Sequence, residues 1–318
     1  MSHQSNLQPK KKGTERVYFL AIFFVVLVWG ADPLIMSFFY RYYSASLLTA
    51  IGTLVSFLLL LLFNAKRLHR LDRRYFKAAV PISAVNSIAC LLQKIGLQYT
   101  TPANYAFLEH LACIVVPISL FVLIRKRPTL PEVLSGVLCL CGCFILCGVG
   151  TTGSVALSFG DVLCALAGVL LGLSVALTAV FAKGLEMPLY MTVHMGVYFL
   201  ISLLSTVCLA VIPVNGSAAE PLHFTPSPVL LFAAALFGLL SIGLCWLLKS
   251  AAIVHTDPTF VAIVSPFSAV ISAVASVLLG SDTLSYNLVI GATLILAAVL
   301  FSAFGDALYK KVGKRGEK

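Results

Sequence analysis

Charge is scarce in this sequence, and acidic charge is scarcer still. Only 11% of the 318 residues are Asp, Glu, Lys or Arg, with 12 acidic against 22 basic. Soluble domains carry about a quarter of their residues charged, so a water-exposed globular protein is excluded. Metal and disulfide spacings are also missing. The nine cysteines lie almost wholly inside apolar runs with no Cys-x-x-Cys pair, and Cys139, Cys143 and Cys147 recur every four residues on one helical face, as small packing residues do. There is no His-Glu-x-x-His, no Gly-x-Ser-x-Gly, no phosphate-binding loop and no glycine fingerprint following a strand. No enzyme chemistry is indicated, and no cofactor is expected.

What the chain has is apolar residues, 60% of the total, in runs near the 20 residues that a bilayer crossing requires. Ten helices are expected, at about Val17–Phe38, Ser44–Phe63, Tyr75–Leu97, Pro102–Ile124, Pro131–Gly148, Phe159–Ala182, Leu189–Ile212, Val229–Val254, Pro258–Leu279 and Leu284–Ala307. The first run is longer than a signal-peptide core and lacks a small-residue cleavage site, so it is expected to remain as the first span. The formal charge of +10 does not point to nucleic acid, because the basic residues sit in loops and tails. With the amino terminus inside, 20 of the 22 Lys and Arg fall on the inner side, including Lys183 and, near a helix end, Lys249; Arg41 and Lys94 fall outside. This asymmetry orients a multi-pass protein and predicts cytoplasmic termini and residence in the plasma membrane.

Two stretches resemble each other. Lys94 to Ile118 and Lys249 to Phe267 each read as a helix end, a polar turn and a new helix. Aligning Thr101-Pro102 with Asp257-Pro258 brings Glu109-His110 onto Ser265-Pro266 and Lys94 within one residue of Lys249. Two five-helix halves follow, 17–149 and 159–307, flanked by tails at 1–16 and 308–318 and joined by a Gly/Thr/Ser linker at 150–158. Five spans per half is odd, so the halves run in opposite directions. Such inverted repeats characterise many secondary transporters, with the site at the repeat interface. The fold class is an all-α membrane protein of ten transmembrane helices in two inverted repeats.

At this point the chain resembles the drug/metabolite transporter superfamily, EamA type. The matching residues are Val28-Trp29-Gly30, Gly96-Leu97-Gln98-Tyr99-Thr100-Thr101-Pro102 and Ser265-Pro266-Phe267, with Leu108-Glu109-His110 similar to the family's Leu-Glu-Pro. Gly280-Ser281-Asp282 departs from it by one inserted residue, and Arg125-Lys126-Arg127 stands where the first half would carry an acidic residue after glycine. The resemblance spans about residues 17–306. It implies a transporter of small metabolites, often an exporter, with a central cavity lined mainly by helices 1, 3, 4, 6, 8 and 9.

Ionisable residues inside spans are costly and mark functional sites by default. Glu109 lies about 10 Å into helix 4 at 1.5 Å per residue, sharing a face with Tyr105, Ala112 and Cys113. Lys94, at similar depth on helix 3, is the expected partner. His110 points elsewhere on the helix and has a side chain suited to carrying protons near neutral pH. Lys249 either snorkels to the inner interface or faces the cavity. Asn86 needs a hydrogen-bond partner near the midplane, from a helix or a substrate. Trp29 lines the cavity or packs; Asp32 is a gate charge or an interfacial one; Pro33 is expected to kink helix 1. Pro266 is expected to bend helix 9 and free carbonyls for a ligand. His194, with Tyr190, Tyr198 and Ser202, is expected to anchor and pack helix 7. The Gly168, Gly172, Ala176 stripe and Ser265, Ser268, Ser272, Ser276 are expected to allow close helix packing.

The expected partners are a small-molecule substrate, protons as coupling ion and the lipid bilayer, with a homodimer left open. Small amino acids, amines or organic anions fit the two lysines and one carboxylate. Two other readings stay open at this stage: an embedded enzyme acting on lipid-linked substrates, and a passive channel or scaffold.

Overall fold

A computed structural model describes residues 12–100, 102–147, 158–211, 213–214, 217–218, 220–280 and 285–313. The expected linker from residue 150, the Ser281-Asp282 insertion and the last residues of the basic tail lie outside these.

The described chain is almost wholly helical. In order it forms α1 (Lys12–Phe39), α2 (Ala45–Phe63), a 3-10 turn (Ala65–Arg70), α3 (Arg73–Gly96), α4 (Pro102–Glu109), α5 (Ala112–Ile124), α6 (Leu130–Leu146), α7 (Phe159–Phe181) and α8 (Met187–Val211). Then follow α9 (Pro228–Gly238), a π-helical turn (Leu239–Leu244), α10 (Cys245–His255), α11 (Pro258–Val264), α12 (Phe267–Leu278) and α13 (Tyr286–Gly313). Nine helical segments among the described residues are long and apolar enough to cross a membrane, and α6 is a shorter apolar helix beside them. The ten expected helices are therefore all present, three of them interrupted: α4 and α5 form one span, α9 to α10 another, α11 and α12 a third.

Helix contacts repeat with a shift of five spans. Within each half's counterpart pair, α2 packs on α8 and α6 packs along α13. The remaining contacts come in exchanged pairs: α3 lies against α7 and α8 as α10 with the π turn lies against α1 and α2, and α4–α5 packs on α7 as α11–α12 packs on α1. Consecutive spans reverse direction through a bilayer, so elements five spans apart point oppositely.

The core around α1 is built largely from β-branched aliphatic side chains, cysteine and alanine. Ile22, Val25 and Val26 of α1 meet Cys113 and Val116 of α5, Cys139 and Cys143 of α6, Val261 to Val264 around α11, and Ile295 and Ala298 of α13. Leu20, Leu62, Phe63, Leu204, Phe232 and Leu278 point outward. That distribution suits lipid, which solvates large apolar groups and leaves close backbone packing to bind helices together. Gly172 of α7 shows the effect: a Cβ there would stand 2.7 Å from the Val115 Cβ and 3.1 Å from the Ala112 Cα. At Gly168 an added Cβ would run into the Leu108 carbonyl oxygen. The expected glycine stripe is thus the seat of the α4–α5 junction.

The long loop before α9 straps the α1–α2 connection. Residues Pro213–Val214 and Ser217–Ala218 pair as a two-residue antiparallel ladder. Beyond it the Ser44 amide donates to the His223 carbonyl (3.0 Å) and the Thr225 amide to the Tyr42 carbonyl (3.0 Å). The Glu220 carboxylate accepts the Ser46 amide at 3.0 Å at the start of α2, where an anion satisfies an orphan donor and the helix dipole. Glu220→Ala is expected to cost about 1 kcal/mol, seen as a lower melting temperature of the detergent-solubilised protein; an unchanged melt would remove Glu220 as a cap.

Candidate functional site

The interruptions of α4–α5 and α11–α12 occupy matching positions. α4 ends at Glu109, and α12 begins just after Pro266; in the hairpin alignment Glu109-His110 and Ser265-Pro266 coincide. A continuous fourth helix was expected, and the structure corrects this. The chain narrows to three-residue turns, with the His110 amide on the Phe107 carbonyl (3.0 Å) and the Cys113 amide on the His110 carbonyl (3.1 Å). The cause visible in the packing is the close approach of Leu108 to Gly168.

At the second break the cause is Pro266, which has no amide proton to give the Ala262 carbonyl four residues back. The expectation that such carbonyls serve a ligand is also corrected. The Cys113 thiol donates to Ala262 O at 3.3 Å, and the Cys139 thiol lies 3.7 Å from Ile263 O. Two cysteines assigned to packing by sequence are thus also caps for the α11–α12 break. Pro266 itself is buried.

Lys249 lies on α10 beside these breaks. Its ammonium sits 4.6 Å from the centroid of the Trp29 ring and 5.2 Å from that of Trp246. The two indoles are 5.9 Å apart. Lys249 therefore points into the bundle and does not snorkel, because two electron-rich faces hold the cation there. It leaves the inner-edge charge count with one member fewer. Trp29 is fixed by its indole N–H, which donates to the Ser241 carbonyl at 3.1 Å. The Ser241 hydroxyl donates to the Asp32 carboxylate. Ser241 belongs to the π turn, so this local widening of the helix ties Trp29 and Asp32 of α1 to the element carrying Lys249. Nothing in the apolar run Leu239 to Leu244 announced it. Helix α1 continues through Pro33 without interruption.

Glu109 is within electrostatic reach of Lys249, and Tyr105, one turn earlier, is within reach of Glu109. The pairing expected for Glu109 was with Lys94. Lys94 instead donates to the Thr49 hydroxyl at 3.2 Å and feels Glu220 rather than Glu109; no Glu109–Lys94 ion pair forms among the described residues. His110 is within electrostatic reach of Cys139 on α6. Glu109, Tyr105, Lys94, Trp29, Trp246 and Lys249 are all half-buried. Asn86 is not among them. It is fully buried on α3, and neither its amide nitrogen nor its oxygen has a partner among the described residues. An apolar groove of about 440 Å³ between α2 and the π turn is lined by Leu59, Leu62, Phe63, Leu239, Gly243 and Leu247 among others; it lies on the outward face, away from these groups.

Each end of the bundle has a tie between halves. At one end Tyr99 meets Phe159 edge-on at 5.7 Å; Thr100 bonds Asp161, and the Asn104 amide donates to Asp161 at 3.0 Å. At the other, Tyr18 stacks on His255 at 4.4 Å. There the Lys126 ammonium reaches Glu132 at 3.0 Å and Asp257 at 3.3 Å. Burial works against the Lys126 charge, but Asp257 and Glu132 outweigh it and hold its pKa above the usual lysine value. Arg125-Lys126-Arg127 thus includes a cation that joins the first half to the Asp257-Pro258 turn of the second.

The comparisons with known proteins bear on this arrangement. The profile of the EamA-like transporter family matches residues 16–148. No curated protein matches the sequence. Among solved structures, a crystal structure described only as that of a protein superposes with a TM-score of 0.72, covering 93% of this chain and 99% of that chain at 16% identity. A likeness at that identity carries the fold alone.

Proposed function

We propose, from the match of residues 16–148 to the EamA-like transporter family, that this chain is a multi-pass membrane transporter of small molecules, a secondary transporter working by alternating access. The halves, 17–149 and 159–307, move about a site between them, and the net direction is export from the cytoplasm. Both termini are cytoplasmic and the membrane is the plasma membrane, in keeping with the basic inner loops.

The observation carrying this reading is Lys249, held between Trp29 and Trp246 with Glu109 in electrostatic reach. Lys249 receives an anionic group, the indoles cover the adjoining apolar part, and Glu109 with Tyr105 receives an amine or hydroxyl. Small amino acids and organic acids fit this set. Lys94, His110, Asn86 and Pro266 act one step removed: Lys94 steadies α2 through Thr49, and His110 and Pro266 shape the two breaks. The breaks supply the joints, and the ties at Asp161 and Lys126 are the elements released in turn.

The test is thermal stabilisation of the solubilised protein against amino acids, amines, organic acids, nucleobases and sugars. A compound that binds the folded state raises its melting temperature. The expected result is a carboxylate-bearing hit that is lost in Lys249→Gln. If no compound stabilises the protein, and proteoliposomes move none of them, the transporter mechanism proposed here fails.

A further inference from the structure

His194 of α8 lies behind the Lys249 pocket and is used by nothing above. Sequence suggested an interfacial anchor, yet its ring is 2% exposed. It stacks on Trp246 at 6.0 Å and 29° and contacts Tyr190 and Tyr198 at 5.8 and 6.4 Å. Trp246 in turn touches Lys249. One indole is therefore shared by a fixed cation and an imidazole.

The surroundings of His194 are polar but incomplete. The Ser83 hydroxyl donates to the His194 carbonyl at 2.8 Å, and the Tyr198 hydroxyl to the Cys90 thiol at 3.3 Å. These two ties fix the register of α3 on α8 and bracket Asn86 and Ser87 between them. Both ring nitrogens of His194, both amide atoms of Asn86 and the Ser87 hydroxyl are buried with no partner among the described residues. Five buried polar atoms without hydrogen bonds are costly together, unless the site takes up a group that can satisfy them.

We propose that His194, with Asn86 beside it, is a proton-binding site whose occupancy is linked through Trp246 to an anion on Lys249, so that proton and anionic substrate bind together. The inference rests on the transporter reading for its purpose but not for its test. The groups facing His194 are Tyr190 and Tyr198 on its own helix, Cys90 on α3 and Lys249 beyond Trp246 on α10; α2 and the π turn contribute no titratable side chain. Lys249 is the fixed charge that shares the Trp246 indole with His194, while Lys94 and Glu109 reach Cys90 and Tyr105 reaches Tyr198 on the same side. An imidazolium and Lys249 repel each other and draw on the same indole. An anion neutralising Lys249 removes that repulsion, and by reciprocity a proton on His194 strengthens anion binding. Asn86 lies one turn from Ser83 on the same face of α3, and its side-chain oxygen is buried with no partner among the described residues.

The chain has two tryptophans and eleven tyrosines, so Trp29→Phe, which keeps an aromatic face beside Lys249, leaves Trp246 as the sole tryptophan, excited selectively at the red edge, in the full-length protein. Imidazolium quenches a stacked indole. Acidification is expected to lower the fluorescence in one step, and adding benzoate is expected to move its midpoint to higher pH, about tenfold in proton affinity for one neutralised charge. His194→Gln in the same background abolishes the step, and Lys249→Gln abolishes the benzoate shift. If His194→Gln does not fold, imidazole carbon NMR of the Trp29→Phe protein, which has six histidines, asks whether one titrates in step with the fluorescence. A step that survives His194→Gln, no histidine titrating with it, or a midpoint indifferent to benzoate each overturns the proposal. Transport is not measured in any arm, so failure here leaves the transporter reading standing.

Discussion

Gly168→Val is expected to remove most folded protein from the membrane fraction. The added Cβ would meet the Leu108 carbonyl, a backbone atom that cannot rotate aside. Either α7 separates from the α4–α5 junction, or the turn at His110–Leu111 is rebuilt. Overpacking of this kind reaches about 3 kcal/mol, a large fraction of the 5–15 kcal/mol typical of domains. The measurement is size-exclusion yield with a fluorescent fusion, beside Gly184→Asn as control. Gly184 has a φ of +83° and nothing within 4 Å of an added Cβ, and asparagine tolerates that conformation. Equal yields for the two variants would mean that the Leu108–Gly168 approach does not hold the break in place.

Lys249→Gln is expected to weaken binding of a carboxylate substrate about tenfold to a hundredfold. A hydrogen bond to a charged group contributes about 1.5–3 kcal/mol, and each 1.4 kcal/mol is a factor of about ten. The fold should tolerate the change, since glutamine keeps most of the stem that crosses the two indoles. Lys94→Gln is the informative companion. Its ammonium is occupied by Thr49 at 3.2 Å, so its loss is expected to change stability more than affinity. Initial uptake into proteoliposomes, compared with melting temperature, separates the two. Equal affinity losses in both variants would show that substrate reaches Lys94 as well and that the site extends beyond the Trp29–Trp246 pair.

The spans were legible because each is one apolar run bounded by charge or turn residues. Expected Tyr75–Leu97 and Leu189–Ile212 stand as Arg73–Gly96 and Met187–Val211, a shift of one or two residues. Hydropathy reports where a helix is in lipid but carries no record of its hydrogen-bond ladder. The π turn at Leu239–Leu244 and the break after Glu109 were therefore invisible: one sits in a uniform apolar run, and the other arises from a neighbour, Gly168, far away in sequence. Pro266 was legible as a bend because proline acts locally, but the destination of its freed carbonyls was not. Lys249 was ambiguous for a related reason. Its distance from a helix end permits snorkelling, and only the tertiary position of Trp29 turns the cation inward. The pairing of Lys94 with Glu109 failed because similar depth does not imply a shared face.

The thiol caps on Ala262 and Ile263 have a practical bearing on how this molecule can be labelled. Probing a transporter with site-directed labels ordinarily starts from a version stripped of its native cysteines. Here that background would not be neutral. Alanine at position 113 would leave a proline-freed carbonyl bare in the centre of the bundle, whereas serine would replace a weak S–H donor with a stronger O–H one and stiffen the joint. Cys141, which is exposed and clear of these caps, can be exchanged freely, while Cys113 and Cys139 should be kept as they are.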